Sequence, residues 1–298
     1  MVKGKKSKIY IYDNGTALSM STRSKFAESL KNGNFDVMYN ERSRAELAAE
    51  ADLISCIGGD GTLLRLLHNC DFPTAPIIGV NTGHLGFFQE LTPDDIGKFI
   101  DAYNNDRYTV QNLPAIDAVI TFAGGGYVQN PVTAENDVIK SAEIERRIRI
   151  TALNEVMMRG ILTHMAHFDV SVGDTIIQQF SGDGILVSTP AGSTAYNYSL
   201  GGSIVSPELR MMQLTPVAPA STDAYRSYRS SIILPLDKKV TLRPLDRSAE
   251  EPLFFTYDGL ESSFEKVKRI EFIISSRSVN IIRFEAYNYW EKLREKLL

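Results

Sequence analysis

The spacing of apolar residues changes once along the chain, near Pro114. Before that point, apolar runs such as Ile9-Tyr10-Ile11 and Leu53-Ile54 alternate with helical patterns. The segment Thr92-Pro93-Asp94-Asp95 is typical of a helix start, with Thr92 as the cap. Alternating strands and helices predict a mostly parallel sheet with ligands at the carboxyl ends of its strands.

After Pro114 the pattern becomes a series of short strands separated by turn residues. The candidate strands are 115–122, 147–153, 168–172, 232–234, 240–242, 254–257 and 270–274. The predicted fold class is therefore α/β plus β. It consists of a Rossmann-like domain over residues 1–112 and a β-rich, β-sandwich-like domain over residues 113–275. We expect the final segment, 276–298, with its strand and amphipathic helix patterns, to complete the first domain.

The composition is that of a globular protein. The 298 residues carry a formal net charge of −4, so no overall positive field favours binding to nucleic acid or to an anionic membrane. The sequence has no signal-peptide pattern and no long uncharged apolar run, so we expect a cytoplasmic protein. Cys56 and Cys70 do not have the spacing of a zinc site, and we predict two reduced, structural thiols.

The segment Gly58-Gly59-Asp60-Gly61-Thr62 joins a predicted strand to a predicted helix. Glycines let a ligand approach the backbone closely, and the N–H groups of such a loop and helix form a site for an anion. A carboxylate next to phosphate requires either a Mg²⁺ ion between them or a hydroxyl whose proton Asp60 accepts. Both arrangements indicate phosphoryl transfer.

The same segment also has a purely structural interpretation. In a tight turn between strand and helix, Asp60 would cap the helix that follows, and the pentapeptide alone does not decide between the two. Two other phosphate-binding motifs are excluded, because the segment fits neither G-x-x-x-x-G-K-[ST] nor G-x-G-x-x-G.

Two further polar elements favour a ligand site. Between Ser181 and Tyr196, hydroxyls, glycines, Asp183 and an aromatic ring surround one apolar strand, a combination that few structural turns need. Asn154-Glu155 follows another predicted strand, and an amide can pair with an adenine edge while a carboxylate can accept both hydroxyls of a ribose. Taken alone, this dipeptide is more often an exposed strand end.

Together these elements closely resemble the NAD kinase family. The matching segments, in order over about residues 50–260, are G-G-D-G-T at 58–62, N-T-G-H-L-G-F at 81–87, A-L-N-E at 152–155, G-D-G-I-L-V-S-T-P-A-G-S-T-A-Y at 182–196 and Gly201-Gly202. The resemblance implies transfer of the terminal phosphate of ATP to the 2′-hydroxyl of the adenosine ribose of NAD, giving NADP. It also implies an active site between the two domains, and a homodimer or homotetramer with sites completed across subunits.

The resemblance assigns roles to individual residues. Asp60 would be the general base that accepts the hydroxyl proton, and Asn154 with Glu155 would hold the adenosine. The residues that would bind NAD or nucleotide are Gly59, Gly61, Thr62, Phe87, Phe88, Asn154, Glu155, Asp183, Thr194, Ala195, Tyr196, Asn197, Ser199 and Ala218. Phe87 and Phe88 could equally be core side chains. Mg²⁺ or another divalent cation would accompany ATP, held chiefly by the phosphates, with no all-protein metal site.

The chain departs from the family pattern at Ser181, where the family often has a basic residue, so a phosphate or ribose contact there is in doubt. Asp258-Gly259 matches a family D-G pair and fits a hairpin turn almost as well. For His84, His164 and His167, packing or surface roles explain the residues better than a metal site does.

Two other functions fit part of the pattern. A lipid kinase acting on diacylglycerol or a sphingoid base shares G-G-D-G-T and the two-domain plan, but it would need an apolar cleft where this chain has a polar cluster. A non-catalytic NAD(P)-binding regulator would use the same groove, and the presence of Asp60 argues against it. The sequence leaves open whether ATP or polyphosphate is the donor, and whether NADH is an acceptor.

Overall fold

The computed structural model describes residues 6–33, 35–39, 43–83, 86–123, 128–129, 139–140, 146–221 and 226–297. His84 and Leu85, which belong to the motif at 81–87, lie outside these residues. The chain divides into two compact units. The first comprises the chain up to Leu113 together with the segment from Ser278 onward, and the second comprises Pro114–Arg277.

Strands outnumber helices in the described part of the chain. The strands are β1 Lys8–Asp13, β2 Asp36–Met38, β3 Leu53–Ile57, β4 Ile77–Val80, β5 Gln89–Leu91, β6 Thr109–Phe122, β7 Val128–Gln129, β8 Ile139–Lys140, β9 Arg146–Ala152, β10 Glu155–Arg159, β11 Ala166–Val172, β12 Thr175–Gly182, β13 Gly184–Ser188, β14 Met211–Val217, β15 Ile232–Pro235, β16 Val240–Pro244, β17 Leu253–Tyr257, β18 Leu260–Phe264 and β19 Val267–Arg283. The helices are α1 Ala17–Asn32, α2 Arg44–Glu50, α3 Asp60–Asn69, α4 Ile96–Asn104, α5 Tyr196–Ser199 and α6 Tyr289–Leu297. Short 3₁₀ turns span Ala191–Thr194 and Asp246–Ala249.

The first unit contains a parallel sheet. Its strand order is β2-β1-β3-β4, and β5 and the end of β19 also pair with β4 in parallel. β3 and β4 are buried along their whole length, as is typical of parallel strands covered on both faces. One core cluster joins side chains of the sheet and of the helices, among them Ile9, Leu53, Phe26 and Phe99.

Two helix starts in this unit illustrate how side chains set the boundaries. The hydroxyl of Thr16 accepts the N–H of Ser19 at 3.3 Å, and α1 begins directly after it. α4 begins at Ile96, so the predicted start at Thr92-Pro93 is wrong. The carboxylate of Asp95 accepts both the N–H (3.0 Å) and the hydroxyl (2.5 Å) of Thr92, which closes a separate turn before the helix.

The second unit contains two sheets whose paired strands are antiparallel. One sheet has the order β15-β14-β13-β10-β17-β18-β7. In the other, β12, β11, β16 and β19 pair side by side, and β9 pairs with both β6 and β8. A single cluster of buried side chains comes from both sheets, including Phe168 and Phe272 from one and Val187 and Phe255 from the other. This is the packing of a β-sandwich.

The predicted fold class is confirmed, because a parallel α/β unit and an antiparallel β-rich unit are both present. Among the described helices, none is long and apolar enough to cross a membrane. Cys56 and Cys70 are free and buried, and burial raises the pKa of both thiols, that of Cys70 to about 11.

Candidate active site

A glycine-rich loop joins β3 to α3 in the first unit. Gly59 directly precedes the helix, and among the described residues no side chain caps it. A side chain on Gly58 would overlap Thr62, which is buried at 3% exposure, so these two residues pack against each other and tighten the turn. A Cβ atom on Gly59 or Gly61, by contrast, would meet no atom of the described chain within 4 Å. Open space therefore borders the first N–H groups of α3, which have no partner within the helix.

Asp60 is the first residue of α3, and its carboxylate points away from the helix end. One oxygen, Oδ2, accepts the N–H of Phe87 at 3.0 Å, and the other, Oδ1, accepts the N–H of Phe88 at 3.2 Å. A Cβ atom on Gly86 would overlap this carboxylate, so the turn at 86–88 approaches Asp60 as closely as glycine permits. Asp60 thus anchors a neighbouring turn and does not cap α3. The structural interpretation, in which Asp60 caps the helix that follows, is therefore wrong.

A third partner of Asp60 comes from the C-terminal helix α6. Nζ of Lys296 donates to Oδ2 of Asp60 at 3.0 Å and lies 4.6 Å from the ring centroid of Phe87, where a cation–π contact forms. The side chains of Lys296 and Asp60 are 32% and 24% exposed. The sequence analysis missed Lys296. The signal available was the spacing of Tyr289, Lys292 and Lys296, which places all three on one face of the amphipathic helix.

A buried charge network fixes the same C-terminal segment to the turn. Arg283 pairs with Glu90 at 2.5 Å and donates to the carbonyl of Phe87 at 3.2 Å, and Lys292 pairs with Glu90 at 3.3 Å. The Arg283 and Glu90 side chains are 5% and 6% exposed. Burial lowers the pKa of Lys292, and the Glu90 carboxylate opposes this shift. Both charges of the Arg283–Glu90 pair are satisfied. The bond from Arg283 to the Phe87 carbonyl holds the turn that carries Phe87 and Phe88, and both of these side chains are buried.

In the second unit, Asn154-Glu155 lies between β9 and β10 and is held by Asp258. The buried carboxylate of Asp258 accepts the backbone N–H groups of Leu153 and Asn154, each at 2.8 Å. Asp258 and Gly259 have φ angles of +47° and +81° and connect β17 to β18, as expected for a type I′ hairpin turn. The hairpin interpretation is therefore correct, and the same aspartate also fixes the backbone that carries Asn154.

The side chains of this dipeptide contain buried polar atoms without a partner. Asn154 and Glu155 are 7% and 9% exposed, and neither Asn154 Oδ1 nor Glu155 Oε2 has a hydrogen-bond partner among the residues that the structure describes. Burial, and secondarily the nearby Asp258 carboxylate, raises the pKa of Glu155 to about 8. Buried polar atoms are nearly always satisfied in folded proteins, so this pair of orphaned oxygens indicates a place for a ligand with hydrogen-bond donors.

The turn after β13 packs directly on this dipeptide. Thr189 donates its N–H to the carbonyl of Asn154 (2.9 Å) and its hydroxyl to the carbonyl of Leu153 (2.5 Å). A side chain on Gly192 would overlap the Asn154 carbonyl, so the approach requires glycine. Beyond this contact the chain turns outward: Thr194 and Ala195 are half-buried, and Tyr196 and Ser199 are exposed. These residues therefore lie in one neighbourhood with Asn154 and Glu155.

The other predicted residues of this unit divide into two groups. Asn197 is fully buried, and its amide bonds to the Ser193 carbonyl and the Thr215 hydroxyl, so its side chain holds the loop. Asp183 and Ala218 are exposed beyond the opposite end of β13, whose end residues Gly184 and Ser188 lie roughly 13 Å apart at about 3.3 Å per residue.

Ser181, the departure from the family pattern, is 4% exposed, and its hydroxyl pairs with Nδ1 of His167 at 2.8 Å. This side chain is therefore part of the packed interior of the second unit. The exposed positions at this end of β13 are Asp183 and Ala218.

The chain matches two family profiles over most of its length. Residues 6–108 match the ATP-NAD kinase N-terminal domain, and residues 153–284 match the ATP-NAD kinase C-terminal domain. The NAD kinase of Finegoldia magna is 35% identical over 244 residues, 82% of each chain. The NAD kinase of Geobacillus stearothermophilus is 29% identical over 269 residues, 89% of this chain and 88% of the relative.

Two solved structures share the fold. Yeast NADH kinase complexed with NADH has a TM-score of 0.77 at 19% identity, over 99% of this chain and 88% of the other. An NAD kinase from Archaeoglobus fulgidus in complex with ATP has a TM-score of 0.71 at 21% identity, over 97% and 96%. The resemblance predicted from the motifs is confirmed: this chain belongs to the NAD kinase family.

Proposed function

We propose that the protein is an NAD kinase, which transfers the terminal phosphate of ATP to the 2′-hydroxyl of the adenosine ribose of NAD and so produces NADP. Family membership supports the phosphotransferase activity. The observation that carries the choice of acceptor is the pair of buried oxygens on Asn154 and Glu155, unpartnered within the described chain. These atoms suit the donors of an adenine and a ribose, and an acyl chain would leave them unsatisfied.

Asp60 is assigned to the hydroxyl that attacks. In the transfer, a bond forms between the 2′-oxygen of NAD and the terminal phosphorus, the bond to the bridging oxygen of ATP breaks, and the hydroxyl proton passes to the Asp60 carboxylate. That carboxylate already accepts two backbone N–H groups and the Lys296 ammonium. These bonds restrict its rotation, so its main contribution is to orient the hydroxyl before the proton leaves late in the reaction.

Glu155 and Asn154 are assigned to the adenosine of NAD. An ionised Glu155 accepts the 3′-hydroxyl of the adenosine ribose, which leaves the 2′-hydroxyl proton to Asp60, and Asn154 pairs with the adenine edge through its carboxamide. Their backbone is fixed by Asp258 and Thr189, so the two side chains are presented on a preorganised support. Thr194, Ala195, Tyr196 and Ser199 are assigned to the rest of the dinucleotide, and Asn197 to scaffolding of that loop.

A divalent cation is part of the proposal and would be bound through the ATP phosphates. Such a cation would neutralise charge on the transferring phosphate. We also propose a homo-oligomer, as the family resemblance implies, in which the exposed Asp183 of one copy contributes to the site of another.

The deciding experiment is a coupled assay with ATP-Mg²⁺ and NAD, in which a dehydrogenase specific for NADP reports the product. We expect NADP formation, and no phosphorylation of diacylglycerol or sphingosine under the same conditions. Phosphorylated lipid without NADP would establish the lipid-kinase alternative. Binding of NAD without any turnover, across divalent cations and phosphoryl donors, would establish the regulator alternative.

Replacing Asp60 by Asn tests its role as proton acceptor. We expect kcat to fall by about 10²–10⁴-fold while the dissociation constant for NAD stays within about twofold, because general-base catalysis contributes about that much. Lys296→Met is the matched control. It removes the same ion pair but keeps the carboxylate, and its kcat should stay within about tenfold of the unmodified protein. Equal losses in the two variants would assign the effect to the ion pair instead.

Replacing Gly61 by Ala tests whether the open space at α3 receives phosphate. Gly61 is the second residue of α3, with no described atom of the chain near its Cβ position, so alanine should leave the melting temperature unchanged or higher. The added methyl group should still raise the KM for ATP about tenfold or more. Gly97→Ala at the second position of α4, equally unhindered, is the control and should leave both KM values unchanged. Unaltered kinetics in Gly61→Ala would refute the phosphate assignment.

Replacing Glu155 by Gln tests the charge of the acceptor site. The folded-state pKa of about 8 lies above the ordinary value of 4.5, so this carboxyl contributes stability below about pH 4.5 that is lost as the pH rises to about 8. The melting temperature of Glu155→Gln relative to the unmodified ligand-free protein should therefore increase from pH 5 to 8 and then level off.

NAD binding should show the complementary dependence on pH. Ionised Glu155 accepts the ribose 3′-hydroxyl, so NAD affinity of the unmodified protein should strengthen as the pH rises through about 8, whereas Glu155→Gln should bind weakly at every pH. Calorimetric titration from pH 6.5 to 9 measures this. The control is Glu208→Gln, at an exposed position. A pH-independent NAD affinity of the unmodified protein would contradict the assignment.

A further inference from the structure

A buried carboxamide next to Asp60 has no hydrogen bond in the described chain. Gln89, the first residue of β5, is 2% exposed, and neither Oε1 nor Nε2 of its side chain has a partner among the residues that the structure describes. Burying an amide without hydrogen bonds is costly, and an apolar side chain of similar size would avoid that cost. Gln89 lies outside the motif at 81–87, and the resemblance to NAD kinases gives it no role.

Two glycines make room for this side chain. Gln89 pairs with Gly79 of β4, and a Cβ atom on Gly79 would lie 2.8 Å from Cα and 3.3 Å from Cγ of Gln89. A Cβ atom on Gly86 would overlap both Oε1 of Gln89 and Oδ1 of Asp60. The carboxamide and the carboxylate therefore meet beside Gly86.

The two oxygens of Asp60 differ in their partners. Oδ2 accepts the N–H of Phe87 and the ammonium of Lys296, both at 3.0 Å, whereas Oδ1 accepts one N–H of the described chain, that of Phe88 at 3.2 Å. A carboxylate oxygen has two lone pairs, so Oδ1 can accept one more bond. Lys296 is 32% exposed and Gln89 is buried, so a substrate hydroxyl reaches the carboxylate on the Oδ2 side.

The carboxamide of Gln89 contains the donor that Oδ1 lacks. With Oε1 nearest to Asp60, two oxygens lie side by side without a hydrogen atom between them. The amide group is flat, and its oxygen and nitrogen are similar in size. A half-turn about the last side-chain bond therefore brings Nε2 to Oδ1 with little change in packing. Nε2 then donates to the carboxylate from the buried side.

We infer that Gln89 is a positioning residue for the transfer, and that its carboxamide donates to Oδ1 of Asp60 when the acceptor hydroxyl replaces Lys296 at Oδ2. The inference rests on the proposed kinase function and adds to it a residue that directs the proton acceptor. The O–H bond of the hydroxyl breaks and its proton binds Oδ2, while Gln89 neither gains nor loses a proton. The bond from Gln89 holds the carboxylate against rotation once the ion pair no longer does.

Gln89→Met and Gln89→Leu test this role, because both remove the donor and keep a side chain of similar size. We expect kcat to fall about tenfold, as for the loss of one hydrogen bond to a charged group, with the KM values for ATP and NAD within about twofold. The melting temperature of the ligand-free variants should stay unchanged or rise, because an unpartnered buried amide is removed. A purely structural glutamine would give the opposite pattern, a lower melting temperature with an unchanged kcat.

Ser55→Ala is the matched control. Ser55 lies in the middle of β3 in the same sheet, is 1% exposed, and has a hydroxyl that is likewise unpartnered within the described chain. Its removal should leave kcat within about twofold of the unmodified protein. A tenfold loss in this variant as well would assign the effect to any change inside the sheet and would overturn the inference.

The Asp60→Asn background shows whether Gln89 acts through Asp60. Adding Gln89→Met to this variant should change the rate of single-turnover NADP formation by less than about twofold, because no proton acceptor is left to direct. A tenfold further loss would show that Gln89 acts independently of Asp60. If the unmodified protein makes NADP and both Gln89 variants keep its kcat, the inference is overturned while the proposed function stands. If the unmodified protein makes no NADP, the proposed function fails and this inference fails with it.

Discussion

One interaction recurs in both units and positions the residues assigned to the reaction: a carboxylate that accepts two consecutive backbone N–H groups. Asp60 accepts those of Phe87-Phe88, and Asp258 accepts those of Leu153-Asn154. Hydrogen bonds to a carboxylate are stronger than bonds between neutral groups, and two of them on consecutive residues fix the direction in which the bonded backbone continues. The proposed site therefore depends on contacts between segments that are far apart in sequence.

The carboxylates of Asp60 and Asp258 differ in their other roles. Asp60 is both the anchor and the proposed proton acceptor, and Lys296 compensates its charge. In the second unit Asp258 is an anchor, and Oδ1 of Asn154 and Oε2 of Glu155, on the segment that it holds, are among the buried polar atoms without a partner in the described chain. Keeping a carboxyl group buried without a partner costs stability in the ligand-free protein, and proteins commonly accept this cost at sites that bind polar ligands.

The sequence predicted the features that depend on local pattern and missed those that depend on strand order. The alternation of strands and helices, the change near Pro114 and the loop at 58–62 were all readable from neighbouring residues. The start of α4 was misplaced, because the Asp95 side chain bonds to Thr92 and forms a turn. The contact of Lys296 with Asp60 was missed, because it joins segments that are distant in sequence and that no local pattern brings together.

The glycines of the site are of two kinds: at some, a side chain would overlap the rest of the chain, and at others the space beside the backbone is open. Gly86 and Gly192 are glycine for a reason within the chain, since a side chain there would overlap Asp60 or the Asn154 carbonyl. Gly59 and Gly61 have no such reason in the described structure, because their Cβ positions are open and neither has a left-handed backbone. Glycine in a helix weakens it relative to alanine, and the open Cβ position of Gly61, at the amino end of α3, leaves room for a ligand to approach the backbone. The phosphate that we propose at the amino end of α3 would occupy this room.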